Sequence, residues 1–567
     1  VRIPGGVMAT AALVAQLERI AVRLGVAEGV SVQIERPRNP EHGDFATNLA
    51  LVLGGRLGRP PREIATQIVD SLDLPQAGLA SADIAGPGFI NFRIAAGRIQ
   101  ARVAEIIEAD RSYGRSNRGN GMRVQVEFVS ANPTGPLHVA HGRGAALGDA
   151  IAALLEWTGH DVEREFYVND AGVQIDRLAE SLEVRWLELT GTAAAIPEGG
   201  YHGEYLRDLA RSVDAAMGDR LRALDRPERL RLLRAHATTL LREEQDRDLR
   251  DFGVVFDNYY SESRLYQEGR PEETLEELKQ RGLTYESDGA VWLRTSTFGD
   301  DKDRVLVKSD GTFTYFLPDL AYHRDKARRG FQHVIDVWGA DHHGYAPRMQ
   351  AALSALGMTD FLDVEIVQMV RIVRGGVEVK LSKRAGDIVS LRDLITETGP
   401  DVARYFFLMR RSDAQMLFDL DLALDHSEKN PVFKVQYAHA RMCSIFRKAG
   451  ADSRSVAASA DLARLTHATE QDLIKQLELF PEVVERAADA RAPHVVSDFL
   501  ETTAGFVNSW YHAGNPSRNP ELAVLAPEPA LRHARLALAG AVQIVLRNGL
   551  ELLGLTAPER MEREESA

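Results

Sequence analysis

The chain has 567 residues and a mass of 62.6 kDa, which at roughly 150 residues per domain implies three or four domains. Hydrophobic residues make up 44% and charged residues 26%, with a mean hydropathy of −0.22, and this excludes a collagen-like or wholly disordered chain. A net charge of −14 means that any nucleic-acid partner must be held by local basic faces, and the single cysteine, Cys443, excludes an internal disulfide or a cysteine-rich zinc site, as fits a reducing cytoplasm.

In chain order, Leu13, Leu17, Ile20, Val22 and Leu24 return at close to a 3.6 period and predict a helix over 11–24. Met8 opens a first helix, so translation is expected to begin there. The apolar residues of this stretch run straight into Glu18 and Arg19, and no run reaches the roughly 18 residues that cross a bilayer, so neither a signal peptide nor an anchor is expected. Residues 36–45 read as an ordered loop broken by two prolines and a glycine, with helix resuming over 46–57. Pro60, Pro61 and Glu63 open a further helix to about 72, and Gly86, Pro87 and Gly88 turn into a strand over 89–94. The result is a small α+β module.

A Gly-rich polar stretch over 113–121 reads as a linker. The strand over 124–129 follows, with Val124, Val126 and Phe128 on one face and Gln125 and Glu127 on the other. Glu127 thereby lies near the strand's C-terminal end, where open α/β sheets place ligands. After a loop over 130–136, a helix is predicted over 138–158, stopped by Gly159. Residues from about 175 are charged and helix-prone and read as an insertion on a nucleotide-binding core, extending to about 300. Short strands are predicted over 290–293, 305–307 and 334–337, and Gly375 and Gly376 predict a tight hairpin between 370–374 and 377–381. From 391 onward the pattern is almost only helix, with Pro-bearing breaks near 431 and 493 and between 515 and 529.

Two short motifs carry chemistry. His138 and His141 stand three apart at a helix N-terminus, so both rings point to one side, where they could stabilise charge on a phosphoryl group in transfer; the alternative is a pair of capping or packing histidines. Lys380, Ser382 and Lys383 follow the hairpin and are closed by Gly386; two ammonium groups there suit a triphosphate, and the alternative is a solvated basic turn. Asp341, His342 and His343 look like metal ligands in isolation, but no supporting ligand set accompanies them and no metal is expected.

The joint occurrence of these motifs resembles the class I aminoacyl-tRNA synthetases, whose HIGH and KMSKS signatures read here as HVAH and KLSKR. More narrowly, the chain resembles the bacterial arginyl-tRNA synthetase family, through VEFVSANPTGPLHVAHGRGAALGDA (126–150), YVNDAGVQI (167–175), TYFLPDLAYHRDK (314–326), WGADHHGYAPRM (338–349), NPVFKVQYAHAR (430–441) and NGLELLGLTAPERM (548–561), with PRNPEHGDFATNLA (37–50) and AGPGFINFRI (85–94) resembling that family's extra N-terminal domain. The resemblance implies a multidomain α/β protein: an α+β tRNA-binding domain over 1–112, a Rossmann-like catalytic domain over 113–390, and an all-α anticodon-binding domain over 391–567. It implies ligation of L-arginine to tRNA(Arg) through an arginyl-adenylate, with ATP and Mg2+ entering as a substrate complex, no tightly bound cofactor, and activation that usually requires bound tRNA. A cytoplasmic monomer is expected.

By the same resemblance His138, His141, Lys380 and Lys383 are catalytic and contact ATP, together with Gly142, Ser382 and the segment of Gly339, Asp341, His342 and His343 on the adenine and ribose side. Arginine is expected between Glu127 and Asn132 on one element and Tyr315 and Asp319 on another. A guanidinium is a permanent cation with five donors in a planar fork, so carboxylates approaching from two elements can recognise it by shape and charge. Asp319 has a helix cap after Pro318 as its alternative. Asn169, Asp170 and Gln174 are expected near the substrate, the alternative being an ordinary loop-to-helix transition. For tRNA, Lys434, Tyr437, Arg441 and Lys448 recur at offsets that share one helix face, a basic and aromatic stripe suited to phosphates and unstacked bases, or else a solvated face. The N-terminal domain is expected to touch tRNA through Arg36, Arg38 and residues 44–48.

Two departures from the family pattern stand out. Ala140 replaces the glycine of HIGH, and the chain continues past Met561 as an acidic tail. A small nucleotidylyltransferase with the same HxGH loop lacks the N-terminal and helical domains that this length implies. A catalytically silent tRNA-binding paralogue is opposed by the intact His138, His141, Lys380 and Lys383.

Overall fold

The computed structural model describes residues 8–26, 31–37, 39–170, 172–379, 389–452, 455–456, 459–515 and 517–561. Lys380, Ser382, Lys383, Gly386, Arg38 and the tail after Met561 lie outside the described residues.

The N-terminal module consists of α1 (Met8–Arg23), β1 (Ile34–Glu35), β2 (Phe45–Thr47), α2 (Leu49–Leu57), α3 (Pro61–Ser71), α4 (Leu74–Ala77), β3 (Leu79–Ala85) and β4 (Phe89–Ile94), with antiparallel strand order β1-β2-β4-β3. The helix expected over 46–57 starts later than its composition suggests. Ala46 and Thr47 pair with Asn91 and Ile90 of β4, and this long-range pairing overrides local propensity. Then α5 (Ala96–Ala109) leaves the module and packs on the C-terminal helices: the buried Arg102 pairs with Glu478 at 3.2 Å, and Gln100 donates to the Leu465 carbonyl at 2.8 Å. The expected linker is anchored, since the N–H groups of Ser116, Gly119 and Gly121 donate to the carbonyls of Trp157, Thr158 and Gly159.

The five-stranded sheet that follows is parallel, in the order β12-β11-β5-β6-β7. Its first unit is β5 (Arg123–Glu127), α6 (Val139–Trp157) and β6 (Asp161–Val168). Both faces of β5 are covered, so Gln125 and Glu127 are buried along with Val124 and Val126, as is usual for a parallel sheet. Between β6 and β7 (Asn258–Ser261) the chain makes an excursion through α7 (Val173–Leu189), α8 (Tyr205–Ala223) and α9 (Arg226–Asp251). These helices have a core of their own, built on Leu178, Leu182, Trp186, Leu206, Val213 and Leu233.

Next come α10 (Glu262–Gln267), α11 (Arg270–Gln280), an antiparallel sheet of β8 (Thr284–Ser287), β9 (Ala290–Leu293) and β10 (Arg304–Val307), and α12 (Phe316–Arg328). The chain re-enters the parallel sheet at β11 (His333–Gly339), crosses through α13 (Ala346–Ala355) and completes it with β12 (Leu362–Val367). Because β11 lies on the opposite side of β5 from β6, the strand order reverses between β5 and β11. A crevice at the carboxyl ends of these two strands is the place such a sheet offers a ligand.

The predicted hairpin is present as β13 (Val370–Arg374) and β14 (Val377–Glu378). It leads to α14 (Leu391–Thr398) and α15 (Pro400–Leu408). The stretch expected to be helical contains one strand, β15 (Met416–Asp419), which pairs in parallel with β13. After α16 (Leu420–Ala423) and α17 (Pro431–Ala449), the helices Ala468–Glu478, Phe480–Asp489, His494–Ala513 and Pro529–Leu552 complete the C-terminal part. Among the described residues no helix is long and apolar enough to cross a membrane.

Candidate active site

At the end of β5 the chain turns through Val129 at φ 68° and Ser130 at φ 40°, left-handed conformations that are uncommon outside glycine and costly for a β-branched residue. The turn brings the Ser130 hydroxyl to Glu127, donating to Oε1 at 2.8 Å, while Ser130 Oγ itself accepts the Tyr167 N–H of β6 at 3.1 Å. The insertion fixes the rest of the loop. Gln245 of α9 donates to the carbonyls of Asn132 and Gly135 at 3.1 and 2.9 Å, and the Tyr205 hydroxyl donates to the Thr134 carbonyl at 2.6 Å. Asn132 itself donates to Gln174 at 2.6 Å.

This loop delivers His138 as the N-cap of α6. The two imidazoles stack at 3.6 Å between centroids with 20° between planes. Nδ1 of His138 accepts the His141 N–H, and Nδ1 of His141 accepts the His138 N–H, so the pair is its own capping box. Burial lowers the pKa of His138 and, with the neighbouring His138, pushes that of His141 down to about 3. Both rings are therefore neutral at pH 7 and carry their proton on Nε2. The capping alternative and the chemical reading are compatible, because capping uses one nitrogen and leaves the other as donor. Gly142 has a packing reason for being glycine: a Cβ there would lie 2.6 Å from a methyl of Leu391.

The described residues flanking the KLSKR segment come back to the same histidines. Ser390 is bridged to His138, the Val139 N–H donates to the Val389 carbonyl at 3.1 Å, and the Leu391 N–H donates to the Leu137 carbonyl at 2.8 Å.

Beyond the histidines, α10 and α12 contribute acidic side chains and their aromatic partners. Asp319 on the first turn of α12 accepts the Tyr345 hydroxyl at 2.6 Å, and burial raises its pKa. Glu262, at the start of α10, is pushed up to about 7, first by burial and then by the charges of Asp319 and Asp170. Burial, followed by the charges of Glu262, Asp319 and Glu127, holds the Tyr167 phenol well above its ordinary range. Carboxylates that raise one another's pKa in this way favour a cation. Neither Glu262, Tyr167 nor Tyr345 was singled out from the sequence: Tyr167 and Tyr345 lie inside motifs read as whole blocks, and Glu262 lies in the insertion with no local signature.

The other expected arginine residues are placed less simply. Tyr315 is 89% exposed and does not close on Asp319. Glu127 is buried and its Oε2 is held by the ammonium of Lys326 at 2.6 Å. Asp170 ties β6 to α10, accepting from the Ser261 hydroxyl at 2.6 Å and from the N–H and hydroxyl of Ser263 at 3.0 and 2.8 Å.

Gly339 ends β11, and a Cβ there would approach Asp341 Oδ1 at 2.7 Å. Asp341 and His342 are exposed beside it and 3.4 Å apart, and His343 is exposed as well. Among the described residues no group of three or more metal-ligating side chains is placed to hold an ion.

On α17, Lys434, Tyr437, Arg441 and Lys448 share the least buried stripe of a continuous helix. Arg441 is not free for phosphate. Its side chain is 8% exposed, lies between the rings of Tyr437 and Tyr511 at 4.7 and 4.5 Å, and donates to Asn508. In the N-terminal module Arg36 lies over the Phe45 ring at 4.8 Å, with buried Nε and Nη2 that have no hydrogen-bond partner among the described residues.

A parallel sheet with a histidine pair opening the first crossover helix defines the catalytic domain of a class I aminoacyl-tRNA synthetase, and residues 102–405 match the family model for tRNA synthetases class I (R), catalytic domain. Residues 9–94 match the arginyl tRNA synthetase N terminal domain, and residues 435–561 the DALR anticodon binding domain. The chain is 46% identical over 551 residues to the arginine--tRNA ligase of Bacillus subtilis (strain 168), covering 96% of this chain and 98% of that one. It is 47% identical over 554 residues to the arginine--tRNA ligase of Geobacillus kaustophilus (strain HTA426), with coverage of 96% and 98%. The solved Thermus thermophilus arginyl-tRNA synthetase superposes with a TM-score of 0.73 at 25% identity, over 98% of this chain and all of that one. This chain belongs to the arginyl-tRNA synthetase family.

Proposed function

We infer that the chain activates L-arginine with ATP and transfers it to tRNA(Arg). The observation that carries the reading is the stacked, mutually capping pair His138 and His141 at the head of the first crossover helix, in the same domain as the carboxylates of Glu127 on β5 and Asp319 on α12. The arginine guanidinium binds between Asp319 and Glu262, with Tyr315 closing over it, and Glu127 and Asn132 face the same substrate from β5 and its loop. Its carboxylate attacks the α-phosphate of ATP in line, an oxygen–phosphorus bond forms, and pyrophosphate leaves with the electrons of the broken bond. The neutral Nε2–H donors of the two histidines stabilise charge on the phosphoryl oxygens without holding a positive charge of their own.

The terminal ribose hydroxyl of tRNA then attacks the adenylate carbonyl and AMP departs. Mg2+ accompanies ATP as part of the substrate. Lys380 and Lys383 contact the leaving phosphates, Ser382 and the residues Gly339, Asp341, His342 and His343 contribute to the nucleotide side, and Lys434, Tyr437 and Lys448 face tRNA. Residues 1–112, 113–390 and 391–567 serve as the tRNA-binding, catalytic and anticodon-binding domains of a cytoplasmic monomer.

The test is arginine attachment to tRNA in the presence of ATP, together with pyrophosphate exchange measured against all twenty amino acids with and without tRNA. Exchange with arginine alone among them supports the reading; attachment of another amino acid, or none, overturns it.

A further inference from the structure

The inner face of α12 is polar, which is unusual for a helix packed on a parallel sheet. Lys326 is wholly buried, and its ammonium donates to Glu127 of β5 at 2.6 Å and to Asp336 of β11 at 3.0 Å. His323, one turn earlier, has Nε2 2.8 Å from the other oxygen of Asp336 and Nδ1 2.8 Å from the Asp319 carbonyl oxygen. Tyr322 and Arg329 reach Glu165 of β6, which is also fully buried. Each strand that ends at the crevice is thus tied by a charged or phenolic group to the helix that carries Asp319.

A buried ammonium among carboxylates is costly unless it is fully paired, and breaking such a pair strands an uncompensated charge. Burial opposes the charge on Lys326, but Asp336, Glu127 and Glu165 outweigh it and hold the ammonium protonated. Burial raises the pKa of Glu127, and Lys326 is the group that pulls it back. The other groups facing Glu127 are the Ser130 hydroxyl on its own loop, the phenols of Tyr167 on β6 and Tyr322 on α12, and the carboxylates of Asp336 and Glu165, and the two carboxylates work against its ionisation.

We propose that Lys326 is a positioning residue for the arginine site: its ammonium, bridging Glu127 and Asp336, keeps the Glu127 carboxylate ionised and fixes its distance from Asp319. The proposal rests on the reading that Glu127 faces the bound arginine. Lys326 itself touches no substrate. Without it, Glu127 is left between two other buried carboxylates and takes up a proton.

Steady-state aminoacylation from pH 6 to 9 by Lys326→Met tests this, with folding checked by thermal melts. The expected result is a rise in KM for arginine of at least about tenfold at pH 7 that is recovered as pH rises, because the acid limb that Glu127 sets, read in a Glu262→Gln background that lacks the Glu262 limb, moves up by about one pH unit or more. KM for ATP stays unchanged. Lys326→Arg restores the charge and moves the limb back, and Glu127→Gln combined with Lys326→Met abolishes the pH-dependent recovery.

A folded Lys326→Met enzyme with the wild-type acid limb overturns the proposal. Should Lys326→Met fail to fold, Asp336→Asn decides: it removes a carboxylate that competes for Lys326, so the limb moves down or stays, and an upward shift overturns the proposal. If Glu127→Gln alone leaves KM for arginine at the wild-type value, the failure lies in the placement of Glu127 at the substrate.

Discussion

Nδ1 of His138 and Nδ1 of His141 each accept the other residue's backbone N–H, at 3.4 and 3.3 Å, so each ring is fixed as the Nε2–H tautomer by the helix end it caps. The sequence spacing of three is what makes this possible, since N-cap and N3 are the two positions that can exchange such bonds. The site therefore offers neutral, oriented donors at a helix N-terminus. Ala140 sits between them in the first turn of α6 without disturbing the exchange.

From this geometry, His138→Asn and His141→Asn are each expected to lower kcat for adenylate formation by about 10²- to 10³-fold while moving KM for arginine little, as for removal of other fixed donors to a transition state. Arginine-dependent pyrophosphate exchange measures both constants. A loss confined to KM would place the histidines in ground-state binding instead.

The same pair has a stability consequence. Its folded pKa values are depressed below the ordinary 6.5, to about 3 for His141, so the unfolded chain binds protons that the folded chain refuses. Stability from this source is complete above about pH 6.5 and is lost as pH falls toward about 3. Urea midpoints across that window should fall more steeply for the wild type than for His141→Asn; parallel slopes would contradict the assignment.

Arg441 and Lys448 separate two roles on one helix stripe. Arg441→Ala removes a buried cation held by Tyr437, Tyr511 and Asn508 and is expected to destabilise the protein by about 2 kcal/mol. Lys448→Ala should leave the urea midpoint nearly unchanged, raise KM for tRNA and reduce its salt dependence. A salt slope identical to the wild type would remove Lys448 from the tRNA interface.

The N-terminal module can be tested by truncation, and α5 decides where to cut. Val103, Ile106 and Ile107 of α5 are buried in the main core, and Arg102 is paired with Glu478, so removing residues 1–110 would damage the helical part directly. Removal of residues 1–95 spares α5. It should raise KM for tRNA far more than KM for ATP, whereas equal effects on both would mark the module as structural.

What was legible in the sequence was local. The strand ending at Glu127, the helix started by His138 and stopped by Gly159, and the hairpin at Gly375 and Gly376 all follow from periodicity and turn chemistry. What was missed depends on distant partners. The strand β6 reads DVEREFYV, too charged for a buried strand until Glu165 is seen paired with Arg329 and Tyr322. Arg441 looks solvated until Tyr511 and Asn508 arrive from another helix. Glu262 acquires its meaning only when the fold lets the charge of Asp319 act on it.

The last prediction concerns that influence of Asp319 on Glu262. With Glu262 held at about 7 by burial and by the charge of Asp319, much of the free enzyme near neutrality carries a proton where a guanidinium should sit. Arginine binding must displace this proton, so kcat/KM for arginine should rise with pH up to about 7 and level off above it, while kcat/KM for ATP should not follow. Glu262→Gln should abolish this limb and lower the plateau by about 10- to 150-fold, the range for losing one charge-assisted hydrogen bond of about 1.5 to 3 kcal/mol. Asp319→Asn should lower the plateau by a similar factor and move the Glu262 limb down, since one of the charges that raises it is gone. Glu127→Gln should also lower kcat/KM for arginine, and lysine should remain rejected by the wild type because a single ammonium leaves buried acceptors unpaired. Steady-state aminoacylation over pH 5.5 to 9 reads all of these, with thermal melts to confirm folding. A limb that survives unchanged in Glu262→Gln would show that another group sets it and that Glu262 lies outside the arginine site.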